Sequence, residues 1–240
     1  MHHVISKSVA LITAVTLVAA SPQKATAEPG PAPATTLRTL YGMKPPTRLV
    51  PSHTALVLVD FQEEFFHGRL PIPKGEHAVE EAARLAAWAR RSSIGVVYVR
   101  NEVTRPNSPI FAAGSPTTRI IAALSPRPGE LVLTKSMAGA FTRTSLDEEL
   151  KARGVDTLIV AGLMTHLAVF ATASDATVLG YRTIIAEDAV ATRALPEADG
   201  PGAVDAATVQ RFHLAVPRPD VSSSTCWRRG HEGRSGFSAA

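Results

Sequence analysis

The apolar run Thr157 to Ala161 stops at Gly162, and a helical period begins about four residues later. A buried strand that feeds a helix through so short a turn is the hallmark of an α/β unit. The turn leaves a row of backbone N–H groups at the helix start without partners in the helix. Such a row suits an anion or a developing oxyanion. In open parallel sheets the ligand crevice lies beyond the carboxyl ends of the strands, so chemistry is first sought at the turn Gly162 to Ala168.

The same alternation runs along the chain. Thr54 to Val59 is a continuous apolar run closed by Asp60, the pattern of a strand buried on both faces. Ala78 to Arg91 has a helical period, Gly95 to Arg100 reads as the second strand, and Leu131 to Thr134 as the third, with Lys135 at its carboxyl end. Between them lie a long Pro- and Gly-punctuated loop, Asn101 to Pro116, of the kind that often closes a site, and a short helix over Thr117 to Leu124. Ser145 and Glu148 have capping-box spacing for a helix that Gly154 ends. Thr157 to Ala161 is then the fourth strand, Leu167 to Leu179 its helix with Gly180 just beyond, and Arg182 to Ala186 the fifth strand. Ala203 to Phe212 reads as a helix and His213 to Val216 as a sixth strand. The expected fold is a three-layer α/β/α sandwich around a mostly parallel, doubly wound, Rossmann-like sheet of about six strands.

The ends differ in character. Lys7, the apolar run Val9 to Ala20 and Ala25-Thr26-Ala27 read as a secretory signal over residues 1–27, with an uncleaved anchor as the alternative; the run is too short to span a bilayer comfortably. Residues 28–53 read as a flexible arm, 54–216 as the folded domain and 217–240 as a disordered tail. The mature protein is then exported, periplasmic or secreted, with no integral membrane span. One cysteine, Cys226, precludes an internal disulfide. The net charge of +4 owes much to basic residues at the two ends, and no basic run interleaves with aromatics, so nucleic acid is not an expected partner.

Parallel strands point their carboxyl ends one way, so Asp60, Lys135 and the Gly162 to Ala168 turn fall at one edge and can converge. Burial at a strand end raises an aspartate's pKa and suits it to proton transfer, whereas a lysine nearby lowers it. The alternative is a structural strand-end salt bridge.

Together, Val59-Asp60-Phe61-Gln62-Glu63-Glu64, Lys135 after Val132-Leu133-Thr134, the turn Gly162-Leu163-Met164-Thr165-His166-Leu167-Ala168-Val169, Thr172 to Ala176 with Gly180-Tyr181, and Glu187 to Thr192 resemble the isochorismatase-like hydrolases. The resemblance covers roughly Thr54 to Val216. It implies a small-molecule substrate, a homodimer or larger homo-oligomer, and a site made of Asp60, Lys135 and the helix-start position Ala168. It also implies a non-proline cis peptide at Leu163-Met164 that turns backbone N–H groups inward.

In the amidohydrolase members the helix-start residue is a cysteine nucleophile. Here Ala168 stands in its place. In the isochorismatase branch, as the resemblance implies, a small residue occupies that position and the aspartate protonates an enol ether carbon. Asp60 then acts as general acid/base on a small carboxylated molecule while Lys135 holds the carboxylate. A hydroxyl nucleophile from Thr165 or Thr172 is a second route, and a silent member that has lost its nucleophile a third.

Substrate-binding residues are expected at Gln62, Leu163, Met164, Thr165 and His166. His166 can act on substrate or a proton, or face a neighbouring subunit. Gln62 hydrogen-bonds to the site while Glu63 and Glu64 face solvent. Phe65, Phe66, Phe111 and Phe141 are candidates for an apolar wall, and Arg100 and Arg105 for an anion. His67 and His77 read as solvated loop histidines, and no metal or other cofactor is expected.

Overall fold

The computed structural model describes residues 48–215 without a break, together with Thr35, Leu40, Gly42, 221–224 and 238–239. The signal expected over 1–27 and the arm up to Thr47, apart from those three residues, lie outside the described residues, as does the tail apart from the two short segments named. The chain from Thr35 onward forms one compact unit.

The sheet has six strands: β1 Thr54–Val59, β2 Gly95–Asn101, β3 Leu131–Lys135, β4 Thr157–Leu163, β5 Arg182–Ala191 and β6 Val221–Ser224. They lie in the order β3-β2-β1-β4-β5-β6 with every neighbouring pair parallel. The chain steps outward from β1 to β3 and then returns to the other side of β1. That reversal puts the crevice of a doubly wound sheet between the carboxyl ends of β1 and β4.

Period-2 alternation divides the core into two layers. Leu56 and Leu58 of β1 pack with Ile159, Ile184 and the apolar stripe of α1 (Gly75–Arg91), made by Ala78, Ala82, Leu85, Ala86 and Ala89. Ala55, Val57 and Val59 face the other layer, with Leu146 and Leu150 of α2 (Leu146–Ala152) and Ala173 and Ala176 of α3 (Phe170–Val178). All six residues of β1 are buried. A fully apolar strand is therefore what a sheet covered on both faces requires.

Several elements depart from the sequence expectation. The residues His213 to Ala215, expected in the sixth strand, continue α4 (Ala206–Ala215); β6 instead comes from Val221–Ser224, inside the stretch expected to lack structure. Thr117 to Leu124 holds two single 3₁₀ turns, Pro116–Thr118 and Ala122–Leu124. The capping box does not form: Ser145 sits at φ −86°, ψ 12°, outside the extended conformation a capping side chain needs, and makes no side-chain bond to the helix. Gly180, at φ +90°, ends the α3 turn as expected, with Tyr181 N donating to Ala176 O. No helix among the described residues is long and apolar enough to cross a membrane.

Candidate active site

Asp60 follows the last residue of β1 and adopts φ 54°, a left-handed conformation that aspartate and asparagine tolerate better than most side chains. Its N–H donates to Val99 O at 2.8 Å, so pairing with β2 runs up to the aspartate itself. Lys135 ends β3, opposite Asn101 of β2. Two strand spacings, about 10 Å, separate β3 from β1, and a lysine is long enough to reach across the intervening strand end. Its Nζ lies 2.7 Å from Asp60 Oδ2 and donates to Met137 O at 2.9 Å.

The pair is almost sealed, with the Lys135 side chain 1% and the Asp60 side chain 4% exposed. Desolvation and the ammonium act on Asp60 in opposite directions, and desolvation wins: its pKa is raised from 3.8 to about 6. Asp60 Oδ1 is buried and accepts no hydrogen bond from a described residue. A buried polar atom left that way costs about 1–3 kcal/mol, and Asp60 lines a cavity of about 290 Å³.

That cavity runs from Asp60 and Lys135 to Leu163, Met164 and Ala168 at the β4 turn. Gly162 permits the close approach of β4 to β1, since a Cβ there would lie 2.4 Å from Val59 O. The Leu163-Met164 peptide is cis. After it, Thr165–Val169 forms a single π turn leading into α3, with Leu167 N and Val169 N both donating to Met164 O. Phe65, Ile110 and Phe111 make the apolar wall, the two rings meeting edge to face at 5.4 Å. Ile110 and Phe111 bring the long loop after β2 into the wall of this cavity.

Gln62 is fully buried but does not line the cavity. Its Nε2 donates to Asn101 O and Thr118 O, each at 2.8 Å, and its Oε1 accepts from Asn101 N at 2.7 Å, so it clamps the end of β2 to the loop. Thr165 turns away as well, donating to Gln210 Oε1 at 2.7 Å. Thr172 Oγ1 accepts from Ala140 N at 3.0 Å. Neither hydroxyl lines the cavity, and with Gln210 and the Ala140 N–H as their hydrogen-bond partners neither threonine is paired with a base that would make it a nucleophile. His166 points toward β5, with Nδ1 hydrogen-bonded to Thr192 Oγ1 and its ring 5.9 Å from that of His213. Burial, followed by His213 and Arg193, pushes its pKa down.

Other expectations are corrected. Glu64 does not face solvent; it is buried and accepts from Arg69 N at 2.7 Å and Phe111 N at 3.4 Å, fixing the loop from below. Glu63 accepts from His67 Nδ1 at 2.7 Å. Phe141 stacks on Tyr181 in the opposite layer, 5.6 Å away, and Phe66 packs on the core beside Gly75. Arg100 pairs with Glu102 at 3.1 Å, outside the cavity lining. Among the described residues no three His, Cys, Asp or Glu side chains gather to hold a metal.

A larger cavity, about 590 Å³, lies between the start of α1, the end of β5 and the start of α4. It contains neither Asp60 nor Lys135. We place the site in the smaller one because only that cavity lies at the β1/β4 reversal and meets a buried carboxyl oxygen lacking a partner.

The chain matches the family model described as the Isochorismatase domain over residues 54–209. It belongs to the isochorismatase family. The chain is 33% identical over 178 residues to a secreted isochorismatase effector of Verticillium dahliae, a match covering 74% of this chain and 90% of that protein. It is 34% identical over 154 residues to a maleamate amidohydrolase of Pseudomonas putida, covering 58% and 72%. A crystal structure of an isochorismatase from Pseudomonas putida KT2440 superposes with a TM-score of 0.69 at 34% identity, covering 80% of this chain and 96% of that one. The α/β fold and the hydrolase class follow from this membership.

In this isochorismatase-family chain the sequence reading passed over two polar residues of the cavity, Ser136, which follows Lys135, and Asn101. Asn101 closes β2 opposite Lys135, and the rule that picked out Asp60 and Lys135, polar residues at carboxyl ends, picks it out too.

Proposed function

We propose that this isochorismatase-family protein is an exported hydrolase of a small molecule, working by proton transfer at Asp60 without a cysteine nucleophile. The observation that carries the reading is the state of Asp60: buried at the cavity wall, raised to about 6, with one oxygen on Lys135 and the other without a hydrogen-bond partner among the described residues. A carboxyl in that condition can hold a proton near neutral pH and give it up to a bound molecule.

In this reading Oδ1 delivers its proton to the substrate, as to the carbon of an enol ether. The Lys135 ammonium, 2.7 Å from Oδ2, stabilises the carboxylate that remains. Water adds to the cation so formed, in the space that the Ala168 methyl leaves, and its released proton restores Asp60; the hemiketal then collapses, its remaining hydroxyl proton passing to the leaving oxygen as that C–O bond breaks and a carbonyl forms. The net change is addition of water across the bond that breaks. A carboxylate on the substrate would have to share with Asp60 the ammonium of Lys135, the only lysine or arginine lining this cavity among the described residues.

A second reading, a silent ligand-binding member, is favoured by Ala168 alone. The assay that separates the two is pyruvate release from isochorismate and ammonia release from simple amides, by wild type and by Asp60→Asn. The first reading expects turnover that Asp60→Asn abolishes; turnover that survives the substitution overturns it.

Export is supported by the residue pattern of 1–27 and by similarity to a protein named as a secreted effector. N-terminal sequencing of secreted material should begin near Glu28. A homodimer or larger homo-oligomer belongs to the same proposal, and light scattering on the purified protein tests it.

A further inference from the structure

Asn101 is held more firmly than a loop residue needs to be. Both its backbone groups are clamped by the Gln62 side chain, at 2.7 and 2.8 Å, and β2 pairing fixes it opposite Lys135. Its side chain lines the cavity, and its Oδ1 is buried without a hydrogen bond from any described residue. Asp60 Oδ1 is in the same condition in the same cavity. Two buried acceptors that share a small cavity call for donors from whatever occupies it, since desolvated acceptors are paired in a stable complex.

Charge points the same way. Lys135 is matched by Asp60 at 2.7 Å, and no other lysine or arginine lines the cavity among the described residues. An entering carboxylate would meet the existing carboxylate of Asp60 and the amide oxygen of Asn101, with its own solvation lost. Apart from Ser136, the remaining wall is made by apolar residues, Phe65, Phe111, Leu163 and Met164 among them.

We propose that Asn101 is a substrate-recognising residue of this cavity, which with Asp60 accepts N–H or O–H groups from an uncharged, apolar-bodied ligand and selects it over the corresponding carboxylate. This rests on the assignment of the site to this cavity, while replacing the carboxylated substrate expected from the sequence.

Calorimetric titration of the full chain at pH 7.5 with benzamide, benzyl alcohol and benzoate tests it. The expected result is binding of the two neutral donors about tenfold or more tighter than benzoate, the scale of one to two hydrogen bonds. Asn101→Leu should remove most of that preference, and Asn101→Asp, which keeps an acceptor, should retain benzyl alcohol and reject benzoate further. Benzoate binding as well as benzamide, or a preference unchanged in Asn101→Leu, overturns the proposal. Should Asn101→Leu fail to fold, the wild-type ranking and Asn101→Asp decide alone. Because these are binding measurements, the ranking can hold while the protein hydrolyses nothing, which would count against the hydrolytic reading and not against Asn101. Asp60-dependent turnover of a carboxylated substrate together with a failed ranking would do the reverse.

Discussion

Lys135 reaches past the end of β2 to meet Asp60 at 2.7 Å, and both side chains are shut away from solvent. An ion pair in such a place is poor evidence of stability, because the desolvation of two charges offsets most of their attraction. Its position at the point where the strand order reverses, with one buried carboxyl oxygen left without a partner among the described residues, fits a functional group held ready.

Removing one member of the pair leaves a buried charge without its counterpart. Asp60→Asn and Lys135→Met should each destabilise the protein by about 3–5 kcal/mol, and the double variant by clearly less than the sum. Asparagine also tolerates the φ of 54° at position 60, so backbone conformation does not confound the comparison. Urea unfolding of the four proteins measures the coupling.

The carboxyl of Asp60 binds its proton more tightly in the folded protein than in the unfolded chain, about 6 against 3.8, because burial outweighs Lys135. Between those values the native state carries the extra proton, so stability falls as pH rises. The contribution of this group is full below the unfolded value and gone above about pH 6. Unfolding midpoints between about pH 4 and 7 should therefore show a downward component in wild type that Asp60→Asn lacks.

Gln62 holds Asn101 and Thr118 through three hydrogen bonds. Gln62→Leu leaves buried main-chain groups without partners, at about 1–3 kcal/mol for each. The loop over the cavity should loosen with it. The expected outcome is a lower urea midpoint with faster amide exchange at Thr118 and Asn101, and Gln62→Glu, which keeps the acceptor but not the donor, should fall between.

Ala168 lies buried against the cavity within the π turn that leads into α3. A thiol placed there would sit near the Lys135 ammonium and a helix start, both of which favour thiolate. In a Cys226→Ser background, Ala168→Cys should react with iodoacetamide faster than free cysteine at pH 7, and gain ammonia release from simple amides. Labelling no faster than free cysteine would mean the turn does not activate a nucleophile.

Much of the architecture was legible because its cause is local. Unbroken apolar runs at Thr54 to Val59 and Thr157 to Ala161 name strands covered on both faces, and Asp60 stands out as a charge at the carboxyl end of the first, as Lys135 does at that of Leu131 to Thr134. The sixth strand was misplaced because Val221–Ser224 is a short polar segment whose pairing with β5 leaves no periodic trace. At the site, spacing brought Leu163, Met164 and Ala168 to the cavity but not Thr165 or His166. A π turn redirects consecutive side chains, so Thr165 faces Gln210 and His166 faces Thr192. The burial of Glu64 under the loop depends on contacts with Arg69 and Phe111 that its neighbours in sequence do not announce.

The central claim is that Asp60 keeps a proton available near neutrality despite its contact with Lys135. The most direct measurement is the titration of its side-chain carboxyl in ¹³C-aspartate-labelled protein, with the signal assigned by its loss in Asp60→Asn. The account predicts a midpoint near 6. A midpoint at or below the ordinary 3.8 would mean that the ammonium dominates, that Asp60 is an ionised strut at neutral pH, and that proton delivery from it is excluded.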